Sequence, residues 1–168
     1  MKELALIISV CILSLTAIDK DSRVFKFSGT VTDESDGNVI EGFYIDVYEG
    51  NDIVDSPESD KKGRFVAELL AGSEYTLDIY LDGYYPKRIV VRTDVPEEIK
   101  KIPVFKFEVE LIRKSDFESI EMVDPFATSI FDFPYVIFEW DTELEDFGYR
   151  EAYTEHIKAK YAEVNDVR

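Results

Sequence analysis

Residues 75–83 read Tyr75-Thr76-Leu77-Asp78-Ile79-Tyr80-Leu81-Asp82-Gly83. Tyr75, Leu77, Ile79 and Leu81 alternate with Thr76, Asp78 and Tyr80, and successive side chains of an extended chain point to opposite faces. One face is therefore apolar and must be covered. Asp82-Gly83 follows with a pair that can adopt positive φ, as a tight turn between antiparallel strands requires.

The same grammar runs outward in both directions. Upstream, Phe25, Phe27 and Val31 alternate with Lys26, Ser28, Thr30 and Thr32, giving a strand over 24–32 that ends in the turn formers Asp33 to Asn38. Phe43, Ile45 and Val47 then alternate with Tyr44, Asp46 and Tyr48; a short strand at Ile53-Val54 follows, and another with Phe65, Ala67 and Leu69 on one face. Downstream, Ile89 and Val91 point inward from a strand over 87–93, and Phe105, Phe107, Val109 and Leu111 from one over 104–112. Seven short strands separated by turn signals predict an all-β fold, a seven-stranded antiparallel sandwich of the immunoglobulin or transthyretin-like kind.

Beyond Arg113 the grammar changes, and residues 114–168 read as a C-terminal extension packed on a sandwich of residues 24–113. A loop carries Pro125 and Pro134. One extra strand is expected over 135–140, where Trp140 belongs to the core. An amphipathic helix is expected over 149–164, because Tyr149, Ala152, Tyr153, His156, Ile157, Tyr161 and Val164 recur three or four apart. Asp146 is a candidate cap for it.

Residues 1–19 read as a signal peptide. Leu4 to Ile18 is almost wholly apolar and shorter than the roughly 20 residues a membrane-spanning helix needs. Contact with a membrane is expected through this segment alone, if it is not cleaved. Cys11 is the one cysteine of the chain and lies within it, so the exported protein would have neither a disulfide nor a thiolate metal site. The net charge of −17 disfavours nucleic acid and anionic lipid.

Several stretches together resemble the carboxypeptidase regulatory-like domain. They are Ser28-Gly29-Thr30-Val31-Thr32-Asp33, Ile40-Glu41-Gly42-Phe43, Asp60-Lys61-Lys62-Gly63-Arg64-Phe65, Gly72-Ser73-Glu74-Tyr75-Thr76-Leu77, and Gly83-Tyr84 followed by Lys87-Arg88-Ile89. The resemblance covers roughly Phe25 to Ile112 and implies a transthyretin-like sandwich of an exported bacterial protein. It implies no particular activity. Gly63 stands where a turn must present positive φ before Phe65 enters the core, and Gly42 where a side chain would meet the facing sheet.

No catalytic residue, cofactor or metal is expected. Zinc peptidase chemistry needs several His and Glu ligands, and His156 is the single histidine. Related sandwich domains of adhesins carry a Lys–Asn isopeptide bond, but the places of its lysine and glutamate hold Thr30 and Ile79 here. A loose calcium site among Asp52, Asp55, Glu58 and Asp60 is the one cation alternative. Tyr44, Tyr48, Tyr80, Tyr84 and Tyr85 fall at outward strand positions or turn tips and form the candidate ligand or partner surface. The expected function is a non-catalytic, extracytoplasmic module of a bacterial cell envelope, with a protein or a glycan as its partner. The protein partner would meet a sheet edge or the tyrosine face; the glycan would stack on the tyrosines.

Overall fold

The computed structural model describes residues 22–101, 103–117 and 129–165. The expected signal peptide, Cys11 and Pro125 lie outside these residues. The described residues form nine strands in two stacked sheets: β1 (Val24–Asp33), β2 (Tyr44–Glu49), β3 (Asp52–Asp55), β4 (Arg64–Leu70), β5 (Glu74–Tyr80), β6 (Lys87–Arg92), β7 (Phe105–Leu111), β8 (Pro134–Asp141) and β9 (Asp146–Tyr149). Two 3-10 turns, Lys114–Phe117 and Ser129–Asp132, precede β8, and helix α1 (Glu151–Asn165) closes the chain. A three-stranded sheet in the order β4-β1-β7 faces a six-stranded sheet in the order β3-β2-β5-β6-β8-β9. This is an all-β sandwich with a C-terminal helix.

The alternation does what the sequence dictates. Phe27, Val31, Val47, Phe65, Ala67, Leu77, Ile79, Val91 and Leu111 are buried between the sheets, while most of their sequence neighbours face water; Val90 and Ile112 are buried as well, Ile112 in a separate cluster. Phe25, Phe27, Phe105, Phe138 and Phe147 meet edge to face or tilted and carry the core across to β8 and β9.

The structure corrects four expectations. The sandwich is not antiparallel throughout: β7 pairs parallel with β1 (Phe27↔Phe105 to Asp33↔Leu111), and β8 parallel with β6 (Val90↔Ile137). Alternation fixes which face a side chain takes but not the direction of the neighbouring strand. Among the described residues the extension supplies two strands rather than one. β9 is four residues long, too short to show a period, and Asp146 begins it instead of capping the helix; its carboxylate accepts the Phe147 N–H at 2.8 Å. The helical stripe is narrower than the spacing suggested. Thr154, Ile157 and Tyr161 are buried and Tyr153 and Val164 half-buried, whereas Ala152 and His156 are exposed. Finally, Gly42 has φ 70° with nothing near its missing Cβ, so the turn and not the facing sheet demands glycine.

Gly63 behaves as expected, with φ 64°. A Cβ there would also lie 2.7 Å from the Ile40 carbonyl oxygen and 2.9 Å from that of Val31. Its own carbonyl accepts the Val31 N–H at 2.8 Å, which fixes the start of β4 against β1.

The extension builds a second, smaller core at one end of the sandwich. Phe131 stacks on Tyr85 at 4.2 Å and meets Phe117 and Tyr161 edge to face, with Ile112 and Ile157 completing the cluster. Tyr153 of α1 donates its hydroxyl to the Pro134 carbonyl at 2.6 Å, fastening the helix to β8.

Candidate functional site

The outward residues of the six-stranded sheet form the surface on which three of the five expected tyrosines meet. Strand parity puts Tyr44, Asp46 and Tyr48 of β2 on this face, opposite Tyr80, Asp78 and Thr76 of β5. Tyr44 and Tyr80 are stacked, with centroids 5.6 Å apart and planes 24° from parallel, and they remain 63% and 39% exposed. Cross-strand stacking orders the pair without removing it from water.

Asp46 and Asp78 stand directly across from each other, an unfavourable placement for two carboxylates. They are held differently. The Arg88 guanidinium of β6 grips both oxygens of Asp78 at 2.7 Å. Asp46 accepts the Tyr80 hydroxyl at 2.9 Å and the Ser56 hydroxyl at 2.9 Å. The bond to Asp46 raises the Tyr80 hydroxyl pKa, because it favours the protonated phenol.

Two shallow concavities flank this row. One, of about 370 Å³, is lined by Tyr48, Gly50, Asn51, Thr76, Asp78 and Arg88. The other, of about 460 Å³, lies between the first half of β2 and residues 56–59, with Tyr44, Asp46, Glu58 and Tyr80 among its walls.

The remaining two tyrosines go elsewhere. Tyr85, expected at a turn tip, is 8% exposed and belongs to the second core, so it is removed from the candidate surface. Tyr84 is half-buried, and its hydroxyl donates to Asp33 at 2.6 Å. Asp33 also accepts from the Ser35 N–H and hydroxyl and from Arg113 Nε, while Arg113 reaches Asp36 at 2.8 Å. Burial raises the Asp33 pKa, but these donors outweigh it and hold the carboxyl at about 2. This is a clamp joining the ends of β1 and β7 rather than a binding site. Turn residues carry no parity from which to foresee it.

Lys87 is the group that periodicity did not single out. It shares the inward parity of Ile89 and Val91, is buried, and places its Nζ 3.8 Å from the Tyr135 ring centroid and 4.5 Å from that of Tyr161. Burial pushes its pKa down to about 8, against the pull of Glu110 and Glu34.

Of the acidic loop, Asp60 is committed to Arg64 at 2.7 Å and 3.0 Å. Among the described residues no three His, Cys, Asp or Glu side chains converge on a metal position. His156 is an exposed helix residue, and Trp140 packs edge to face on Phe147 at 5.7 Å. No described helix is long and apolar enough to cross a membrane.

Two stacked sheets with a polar, tyrosine-bearing outer face define a β-sandwich module. A sequence profile of the carboxypeptidase regulatory-like domain matches residues 26–102. No curated protein sequence matches the chain. Among solved structures, the chain is similar to the TIE protein of Bacillus anthracis, with TM-score 0.44, 19% identity, and coverage of 54% of this chain and 17% of that one. It is also similar to the major pilin subunit of Bacillus cereus, with TM-score 0.41, 16% identity, and coverage of 53% and 29%. A third is 3-chlorocatechol 1,2-dioxygenase from Rhodococcus opacus 1CP, with TM-score 0.39, 14% identity, and coverage of 56% and 60%. The chain covers less than two thirds of each of these proteins.

Proposed function

We propose that the chain is a non-catalytic interaction module of a bacterial cell envelope that recognises another protein through the outer face of its larger sheet. The observation that carries this reading is the exposed Tyr44–Tyr80 stack, aligned with Tyr48 on a rigid sheet. Tyrosine supplies a large contact area at low entropic cost and is enriched at interfaces. The regulatory-like family supports a structural or binding role rather than turnover. A glycan is the second reading, favoured by Tyr48 beside Asn51, Thr76, Asp78 and Arg88, which set hydrogen-bonding groups next to an aromatic face.

A photo-reactive amino acid placed at Tyr44, Tyr48 or Tyr80, and as controls at Thr30 or Val66 on the opposite sheet, tests the reading in intact envelopes. Protein adducts are expected from the first three positions and not from the last two. Adducts from the opposite sheet alone would contradict it, and saturable polysaccharide binding lost in Tyr48→Ala would favour the glycan.

A further inference from the structure

We propose that the groove beside Tyr44 and Tyr80 takes an extended basic segment of a partner protein, its cationic side chains lying on the tyrosine faces and against Asp46 and Glu58. The inference rests on the reading of this face as a protein-binding surface and adds the chemistry of the partner.

The groove exists because β3 is short. Its pairing with β2 begins at Val47↔Asp55, so the first half of β2, Tyr44 to Asp46, has β5 on one side and no strand on the other among the described residues. The chain from Ser56 to Ser59 stands off from that edge as a second wall, tied back by the Ser59 hydroxyl on the Phe43 carbonyl at 3.1 Å. About 460 Å³ lies between them. A groove along an incompletely paired edge suits an extended peptide, with side-chain pockets supplying selectivity.

Charge selects the occupant. Three other outward carboxylates of the same sheet are neutralised within the fold, Asp78 by Arg88, Glu74 by Arg92 and Glu139 by Arg150, while Asp141 and Asp146 at the far edge accept backbone N–H groups. Asp46 is bonded to two neutral hydroxyls, meets no cation among the described residues, and faces Asp78 across the strands. Glu58 lines the groove without an ion pair among those residues, and no Lys or Arg lines it. An arriving ammonium or guanidinium would give Asp46 the cation that Arg88 already gives Asp78, and would meet the negative faces of the exposed tyrosine rings. The net charge of −17 would steer such a segment inward at low ionic strength.

The test uses the full chain and two labelled eight-residue peptides, one alternating arginine with threonine and the other alternating glutamate with threonine, read by fluorescence anisotropy. The basic peptide is expected to bind and the acidic one not to. The double variant Asp46→Asn, Glu58→Gln should weaken binding about tenfold, Tyr44→Ala by a similar factor, and the distant Asp82→Asn within about twofold of wild type. Equal weakening by Asp82→Asn would reduce the effect to overall charge and overturn the proposal, as would indifference to Asp46, Glu58 and Tyr44. Competition of the basic peptide by an oligosaccharide would reassign the groove to a glycan. Adducts at position 44 without any preference for the basic peptide would refute the basic segment while leaving the protein-binding face standing. Loss of both would remove both.

Discussion

At the scale of single residues, two buried ionisable groups both make stability rise with pH, one in the alkaline range and one in acid. Lys87 lies between the main core and the helix with its ammonium on two tyrosine rings. With its pKa lowered from 10.5 to about 8, the unfolded chain binds more protons than the folded one between those values. Stability from this residue therefore rises as pH climbs from about 8 to about 10.5, and below 8 the penalty of the buried charge stands in full. Lys87→Met should stabilise the protein by about 1 kcal/mol at neutral pH, the removed penalty exceeding the lost ring contacts, and should flatten that rise. Urea unfolding across the alkaline range checks both. Asp33 has the same sign in a different window, and there the charged form is stabilised rather than penalised. Its carboxyl is depressed to about 2 from 3.8, so its contribution is complete above about pH 4 and is lost as pH falls through 2. Asp33→Asn should cost about 2 kcal/mol at neutral pH, a cost that shrinks towards zero in acid melts.

At the scale of elements, the strands that bury one face were legible and those that lean on neighbours were not. Phe25 to Val31 and Tyr75 to Ile79 announce themselves by alternation, because each has water on one side and the opposite sheet on the other. β9 is four residues whose partner is β8, and nothing local distinguishes Asp146-Phe147-Gly148-Tyr149 from a helix entry. The same contrast divides the candidate surface. Parity on β2 and β5 placed Tyr44, Tyr48 and Tyr80 outward, whereas Tyr84 and Tyr85 follow a turn and took their environments from Asp33 and Phe131, residues 51 and 46 positions away in the chain. Phe131 is the hinge of the second core, with Tyr85, Phe117 and Tyr161 all against its ring. Phe131→Ala should cost about 3–4 kcal/mol, measured by thermal or chemical unfolding, and should release α1 from the sandwich before the strands separate.

At the scale of the molecule, the extension determines what the larger sheet can present. With β8 and β9 added beside β6, that sheet is six strands wide, twice the width of its partner, and β7 reaches across to cover the new inner face with Phe105 and Phe107. The tyrosine row sits on β2 and β5, whose pairing holds the rings in register, with Tyr44 on the half of β2 that β3 does not reach. If β8 and β9 are integral to this platform, the amides of Val90, Val91, Ile137 and Phe138 should exchange with deuterium as slowly as those of β5, all governed by global unfolding. Amide exchange of the full chain resolves this directly. Uniform protection from β5 through β8 is the predicted result; exchange of β8 and β9 within minutes, while β1 to β7 stay protected, would contradict the account.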